Sequence, residues 1–315
     1  MTYCVALSVD EGIVFLSDTR TNAGVDHIST ARKMSVFEQP GERVLVLLGA
    51  GNLSLTQAVL RELSEPSDPQ NPTLWTVSTM ADAAGVVGRA VRTVHQRESQ
   101  ALQQFGVDFN CSFILGGQIA PNATDDADAN ANGDAHADGD ANANATRTLP
   151  RPRLFMIYSA GNFIEASSVN PYFQIGESKY GKPIIDRVLV PQTPLDEAAK
   201  CALISMDSTL RSNLSVGLPL DLLVYQKDAL RVTRFVTVTQ DNAYYQMIHS
   251  TWGERLRQVF AEIPDPDWQD TAAIPHADIE GESALFRAPS GAAHDAFDVR
   301  PAQTLAQSDK PKTPR

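Results

Sequence analysis

Thr2-Tyr3-Cys4-Val5-Ala6-Leu7-Ser8-Val9-Asp10-Glu11-Gly12-Ile13-Val14-Phe15-Leu16-Ser17-Asp18 is the stretch that decides the fold. From Thr2 to Val9 and from Ile13 to Ser17, apolar residues fall on both faces of two strands, and such strands are covered on both sides. Asp10-Glu11-Gly12 makes the turn, with Gly12 available for positive φ. A turn centred on Glu11 sets Thr2 opposite Arg20 and Cys4 opposite Asp18. Asp18 then lies diagonal to Thr2, about 7–8 Å between backbones and within side-chain reach. Polar Thr2 and ionic Asp18 so meet at one end of an otherwise apolar hairpin. A plain ion pair at a frayed strand end is the alternative reading of that placement.

Working outward, a polar loop runs from Thr19 to about Thr30. Strands follow near Met34–Phe37 and Arg43–Leu48, separated by Gln39-Pro40-Gly41. The period then changes. Asn52 or Ser54 caps a helix to about Leu63, and a longer helix covers about Leu74–Gln104 with Val77, Met80, Ala84, Val87, Val91 and Val94 as its stripe. Strands return at Asp108–Leu115, Arg153–Tyr158 and Phe163–Ser168. Helices at about Ser178–Val188 and Leu195–Leu210 precede strands near Leu220–Gln226 and Val232–Thr239, and a last amphipathic helix spans about Tyr244–Glu262. Strands in runs followed by helices in pairs, twice over, describe an α+β layer fold rather than alternating βαβ units. Strands apolar on both faces call for two stacked sheets between two helix layers.

The totals agree. Hydrophobic residues make up 43% of 315 residues, enough for a sizeable core, and no apolar run reaches the ~18–20 residues that cross a bilayer. A formal charge of −12 argues against nucleic acid and anionic membrane as partners. The N-terminus has no basic leader region and no signal-peptide core, and Cys4, Cys111 and Cys201 are scattered without a CxxC pair, so the expected setting is cytoplasmic with reduced, buried thiols. Residues 120–150 hold six aspartates and one arginine, and Asn122–Thr146 is almost wholly Ala, Asn, Asp and Gly. That composition cannot bury enough apolar surface to order itself, so it reads as a loop expansion between two pairing strands. Residues 269–315 read as a disordered tail after a domain of residues 1–268.

The expanded loop contains decoys. Asp128-Ala-Asn130-Ala-Asn132-Gly133 and Asp134-Ala-His136-Ala-Asp138-Gly139 look like calcium-loop starts, but Gly139 and Ala145 stand where the bidentate glutamate belongs. Asn122-Ala-Thr124 and Asn144-Ala-Thr146 match the glycosylation sequon without a secretory context. His27, His95 and His249 lie too far apart in sequence to imply a metal.

Thr2 is different in kind. Threonine behind Met1 is small enough for methionine aminopeptidase to expose its amine. An α-amino group titrates near ~8 and is the standard base for an N-terminal threonine hydroxyl. A nearby cation, Lys33, lowers that pKa and steers the proton, and Asp18 holds the cation in place.

Thr2, Ser17-Asp18-Thr19-Arg20, Ser29-Thr30-Ala31-Arg32-Lys33 and Leu48-Gly49-Ala50-Gly51-Asn52-Leu53 together resemble the proteasome β-subunit and HslV group of N-terminal nucleophile hydrolases. Thr21–Asp26, Gly176-Glu177-Ser178-Lys179-Tyr180-Gly181-Lys182-Pro183, Ser212-Asn213-Leu214-Ser215-Val216-Gly217 and Asp265-Pro266-Asp267-Trp268 are similar to its Anbu branch of bacterial proteasome-like peptidases. The resemblance covers about residues 1–268 apart from the expanded loop. It implies a four-layer αββα sandwich, a Thr2 nucleophile whose amine is the general base, and Asp18 with Lys33 in support. It further implies an oxyanion N–H from Gly51 and a specificity pocket of Thr21, Ala31, Ser35, Gly49 and Leu53. Two departures stand out. Glu177 replaces a serine of the wider group, and a carboxylate there would raise the amine's pKa; Ser212 replaces an aspartate, with Ser215 retained. The implied activity is a threonine peptidase working on peptide or unfolded protein, without cofactor, as a homo-oligomer in a ring or open helical assembly. An amidase acting on a small or modified peptide, and a non-catalytic assembly subunit, are the alternatives. The sequence names no unfoldase partner.

Overall fold

The computed structural model describes residues 2–23, 27–121 and 149–266. The calcium-like strings, the sequons and the expected disordered tail lie outside them. The chain divides into units 1–262 and 263–315, and the account below concerns the first.

The fold is mixed α/β, with antiparallel sheets. β1 (Tyr3–Val9) and β2 (Gly12–Asp18) are followed by the short pair β3 (Arg20–Ala23) and β4 (His27–Thr30), then β5 (Met34–Gln39) and β6 (Arg43–Gly51). Helices α1 (Leu53–Ser64) and α2 (Met80–Gln104) lead to β7 (Cys111–Ile119), β8 (Arg153–Ile157), β9 (Phe163–Glu165) and β10 (Tyr172–Gly176). Helices α3 (Lys182–Val188) and α4 (Leu195–Ser212), strands β11 (Leu220–Gln226) and β12 (Arg234–Val238), and α5 (Ala243–Glu262) complete it. One five-stranded sheet has the order β10-β1-β2-β11-β12, the other β5-β6-β7-β8-β9.

Burial explains the two-sided strands. Cys4, Ala6, Ile13 and Phe15 of the first sheet share a core with Val44, Val46, Leu48 and Ile114 of the second. The alternate residues Val5, Leu7, Val14 and Leu16 pack with Ile185, Ala198 and Met206 of α3 and α4 and with Ile248 of α5. On the second sheet, Leu45, Leu47, Phe113 and Leu115 pack with Leu55, Val59, Val87 and Val91 of α1 and α2. Each such buried side chain contributes roughly 1.5–3 kcal/mol, so both faces of β1, β2, β6 and β7 carry comparable stakes.

Several expectations need correction. The first hairpin pairs Val9 with Gly12 and Cys4 with Ser17. Its turn is the two residues Asp10-Glu11, not one centred on Glu11, and every pairing shifts by one. Cys4 is therefore not opposite Asp18, nor Thr2 opposite Arg20, and the same register carried one step on sets Asp18 against Tyr3 rather than diagonal to Thr2. The polar loop from Thr19 holds a small antiparallel hairpin, β3–β4, with Thr21 opposite Ser29. The helix expected from Leu74 begins at Met80. Thr79 caps it by accepting from the Asp82 amide, with Asp82 in the first turn. Leu74 and Val77 are buried like helix residues, but their carbonyls accept from Arg43 Nη1 at 2.9 and 3.0 Å, so that backbone turns toward the sheet. α3 starts at Lys182, with Pro in its first turn, rather than at Ser178. β10 is an additional strand, bounded by Pro171 and Gly176, that pairs with β1. β7 and β8 pair directly, as the reading of the insertion between them requires.

Candidate active site

Thr2 immediately precedes β1 and is half-buried. Its carbonyl accepts the Glu177 N–H at 2.7 Å. One residue on, fully buried Tyr3 donates its N–H to Asp18 Oδ1 at 3.0 Å. The chain behind Thr2 is thus pinned from both neighbouring strands, by the end of β10 and the end of β2.

Gly176 makes the first of these contacts possible. Its φ is +82°, and a Cβ there would fall 2.0 Å from the Thr2 carbonyl oxygen. Only glycine lets the two backbones approach so closely in that conformation.

Asp18 is completely buried. Its Oδ1 also receives Lys33 Nζ at 2.6 Å, and Lys33 donates in addition to the Arg20 carbonyl at 2.7 Å. Burial pushes the Asp18 carboxyl above its usual range, opposed by Lys33 and by the Tyr3 and Gly217 amides. Asp18 Oδ2 and the neighbouring Ser17 hydroxyl have no hydrogen-bond partner among the described residues. The Lys33 carbonyl in turn accepts the Gly49 N–H at 2.9 Å, so the cation is fixed by the same strands that carry the expected pocket. Cys4 closes the group from below, its Sγ 3.8 Å from the Gly49 carbonyl. Burial holds the thiols of Cys4, Cys111 and Cys201 well above the ordinary value, the latter two to about 11, and all three are free.

The remaining expected residues divide. Gly51 ends β6 with φ +112°, and a Cβ there would meet the Asn110 carbonyl at 2.4 Å. Gly49 lies against the Phe113 ring. Leu53 opens α1 behind the Asn52 cap, and Leu53, Thr21, Ala31 and Ser35 are half-buried. Ser35 faces Leu47 across β5 and β6, while the Ala31 N–H reaches the Thr19 carbonyl at 2.8 Å.

Glu177 is buried, and its carboxylate accepts from the Lys179 N–H and from Asn213 Nδ2, each at 3.2 Å. Ser212 is the exposed last residue of α4. Its neighbour Asn213 is buried and reaches Glu177, while also accepting the Ser215 N–H at 2.9 Å. Asn213 was missed because the resemblance drew attention to the serines either side of it. The Arg20 carbonyl was missed because a main-chain acceptor leaves no mark on sequence. Gly176 had a signal, a glycine closing a short apolar run. Among the described residues no group of three or more His, Cys, Asp or Glu side chains is placed to hold a metal ion.

A structure named Anbu (ancestral beta-subunit) from Yersinia bercovieri is 48% identical, covering 84% of this chain and 99% of that one, with a TM-score of 0.70. The chain belongs to the Anbu family. This is a proteasome-like bacterial family, as the resemblance implied. An Anbu (Gly-1) mutant from Hyphomicrobium sp. strain MC1 is 45% identical over 85% of this chain and all of that one, at a TM-score of 0.70. The Anbu complex of Pseudomonas aeruginosa, described as a helical assembly, is 43% identical over 84% and 98% of the two chains, again at 0.70. No protein-family model matches the sequence, and no curated protein does. No helix among the described residues is long and apolar enough to cross a membrane.

Proposed function

We propose that this Anbu protein is an N-terminal threonine peptidase on a four-layer αββα sandwich, formed by residues 1–268. With Met1 removed, the Thr2 amine takes the hydroxyl proton as Oγ attacks a peptide carbonyl. The Gly51 N–H receives the oxyanion. The C–N bond breaks, the amine passes the proton to the leaving nitrogen, and an ester on Thr2 remains. Water, deprotonated by the same amine, hydrolyses that ester.

One observation carries this reading: a single Asp18 oxygen binds both the amide next to Thr2 and the Lys33 ammonium. An ammonium has three N–H donors, and Lys33 spends two, on Asp18 and the Arg20 carbonyl. The third has no further acceptor among the described residues, and the proposed mechanism assigns it to the nucleophile. Glu177 acts through the backbone, holding the Thr2 carbonyl, while its carboxylate is occupied by Asn213 and Lys179. The helical assembly named for the Pseudomonas aeruginosa relative supports a homo-oligomer.

The test is intact-mass spectrometry of the assembled protein, before and after an α′,β′-epoxyketone. That reagent closes a ring on both a hydroxyl and a free amine of one threonine. A chain lacking Met1 with one adduct on Thr2 is expected. A chain that keeps Met1, or stays unmodified, reduces the protein to a scaffold.

A further inference from the structure

A cavity shares Arg20 with the surroundings of Lys33. It lies between the 213–219 turn, the end of α4 and the start of α5 and has a volume of about 510 Å³, a size that holds a small molecule. Among the described residues its charged lining is Arg20 and Arg211, and no acidic side chain lines it. Neither arginine has a carboxylate within ion-pair distance among the described residues. Two unpaired guanidinium groups facing one cavity are notable in a chain of net charge −12.

The walls are built rather than incidental. Arg20 is held at the rim by an Nη1 bond to the Leu214 carbonyl at 3.1 Å, and it lies flat over Gly217, where a Cβ would fall 2.2 Å from Cζ. His249 is oriented from behind by Asp207, Nδ1 to Oδ1 2.6 Å. Buried Asp207 also accepts the Tyr245 hydroxyl at 3.2 Å. Val216 and Leu218 supply apolar floor.

We propose that this cavity binds a carboxylate carried on a compact apolar body, the acid group between Arg20 and Arg211 and the body on Val216 and Leu218. Planar guanidinium forks match a carboxylate, and the floor selects against a bare anion. Arg20 links the cavity to the candidate active site, because its carbonyl holds Lys33 Nζ. A ligand that draws in the guanidinium therefore acts on Lys33 through one residue. That consequence rests on the function proposed above; the binding does not.

Binding is tested on the full-length chain carrying Thr2→Ala, so that it is independent of turnover. Calorimetry with N-acetyl-leucine, N-acetyl-leucinamide and acetate separates charge from apolar contact. The acid is expected to bind saturably, with the amide and acetate each at least tenfold weaker. Arg211→Gln, at an exposed position, is expected to weaken the acid about tenfold with the amide unchanged. Equal affinity for acid and amide, no saturable binding of the acid, or an unchanged acid affinity in Arg211→Gln overturns the assignment. The acid–amide comparison uses the unaltered cavity, so it decides the matter even if the arginine variant folds poorly.

Discussion

Lys33 Nζ sits 2.6 Å from Asp18 Oδ1 with both side chains almost out of solvent, 7% and 0% exposed. Removing one member of such a pair leaves the other buried and uncompensated, at a cost of about 3–5 kcal/mol. Lys33→Ala should therefore lose stability as well as turnover, the latter by about 10²–10⁴-fold. Steady-state kinetics on refolded, assembled protein read the second effect; unchanged rates would remove Lys33 from the mechanism.

The stability loss should depend on pH in a defined sense. Burial already raises the Asp18 carboxyl, and Lys33 opposes that rise. Without Lys33 the folded-state value climbs further. A raised folded value gives stability that is present below the unfolded value, about 3.9, and is lost as pH rises through the folded one. The deficit of Lys33→Ala against the parent should be largest at pH 7–8 and shrink toward pH 4–5, measured by urea unfolding. A deficit independent of pH would mean that Asp18 is not its source.

Thr2→Ala should abolish turnover and leave stability within about 0.5 kcal/mol. The contact that positions residue 2 is its carbonyl on the Glu177 amide, which alanine retains. Calorimetric melting and size-exclusion chromatography would reveal any wider role.

Gly176→Ala places a methyl against the Thr2 carbonyl at positive φ. A cost of about 1–3 kcal/mol is expected from that strain, with at least tenfold lower turnover because the start of β1 must shift. Full activity in this variant would show that the start of β1 tolerates displacement.

Ser212→Ala and Asn213→Ala separate neighbours that sequence alone does not rank. Ser212 is exposed and should be within about 0.5 kcal/mol of the parent. Asn213→Ala strips a donor from buried Glu177 and should cost about 1–3 kcal/mol. Paired chemical denaturation curves would expose a reversed order at once.

Deleting residues 122–146 should change stability by less than about 1 kcal/mol, since each doubling of loop length costs only about 0.6 kcal/mol and β7 pairs directly with β8. A melting-temperature fall of many degrees would contradict the reading of this segment as an insertion.

The sequence by itself determined the layered character of this protein. Residues 2–17 alternate between two faces that are both apolar, and no packing other than cover on both sides satisfies that pattern. It also singled out Thr2, Asp18 and Lys33, because an N-terminal hydroxyl, a base and a charged support are legible as chemistry. Only the tertiary structure decided how Asp18 and Lys33 meet. The hairpin register slipped by one residue because a two-residue turn and a three-residue turn differ by less than composition reveals. Asp18 and Lys33 nonetheless meet, through strands β2 and β5 of different sheets. β10 and the Arg20 carbonyl were illegible for a common reason: they act through main-chain groups, which every residue carries and which only a partner strand puts to use. Asn213 displaced Ser212 because the end of α4 sets which side chain turns inward, and helix phase at its last turn is fixed by packing rather than by local preference.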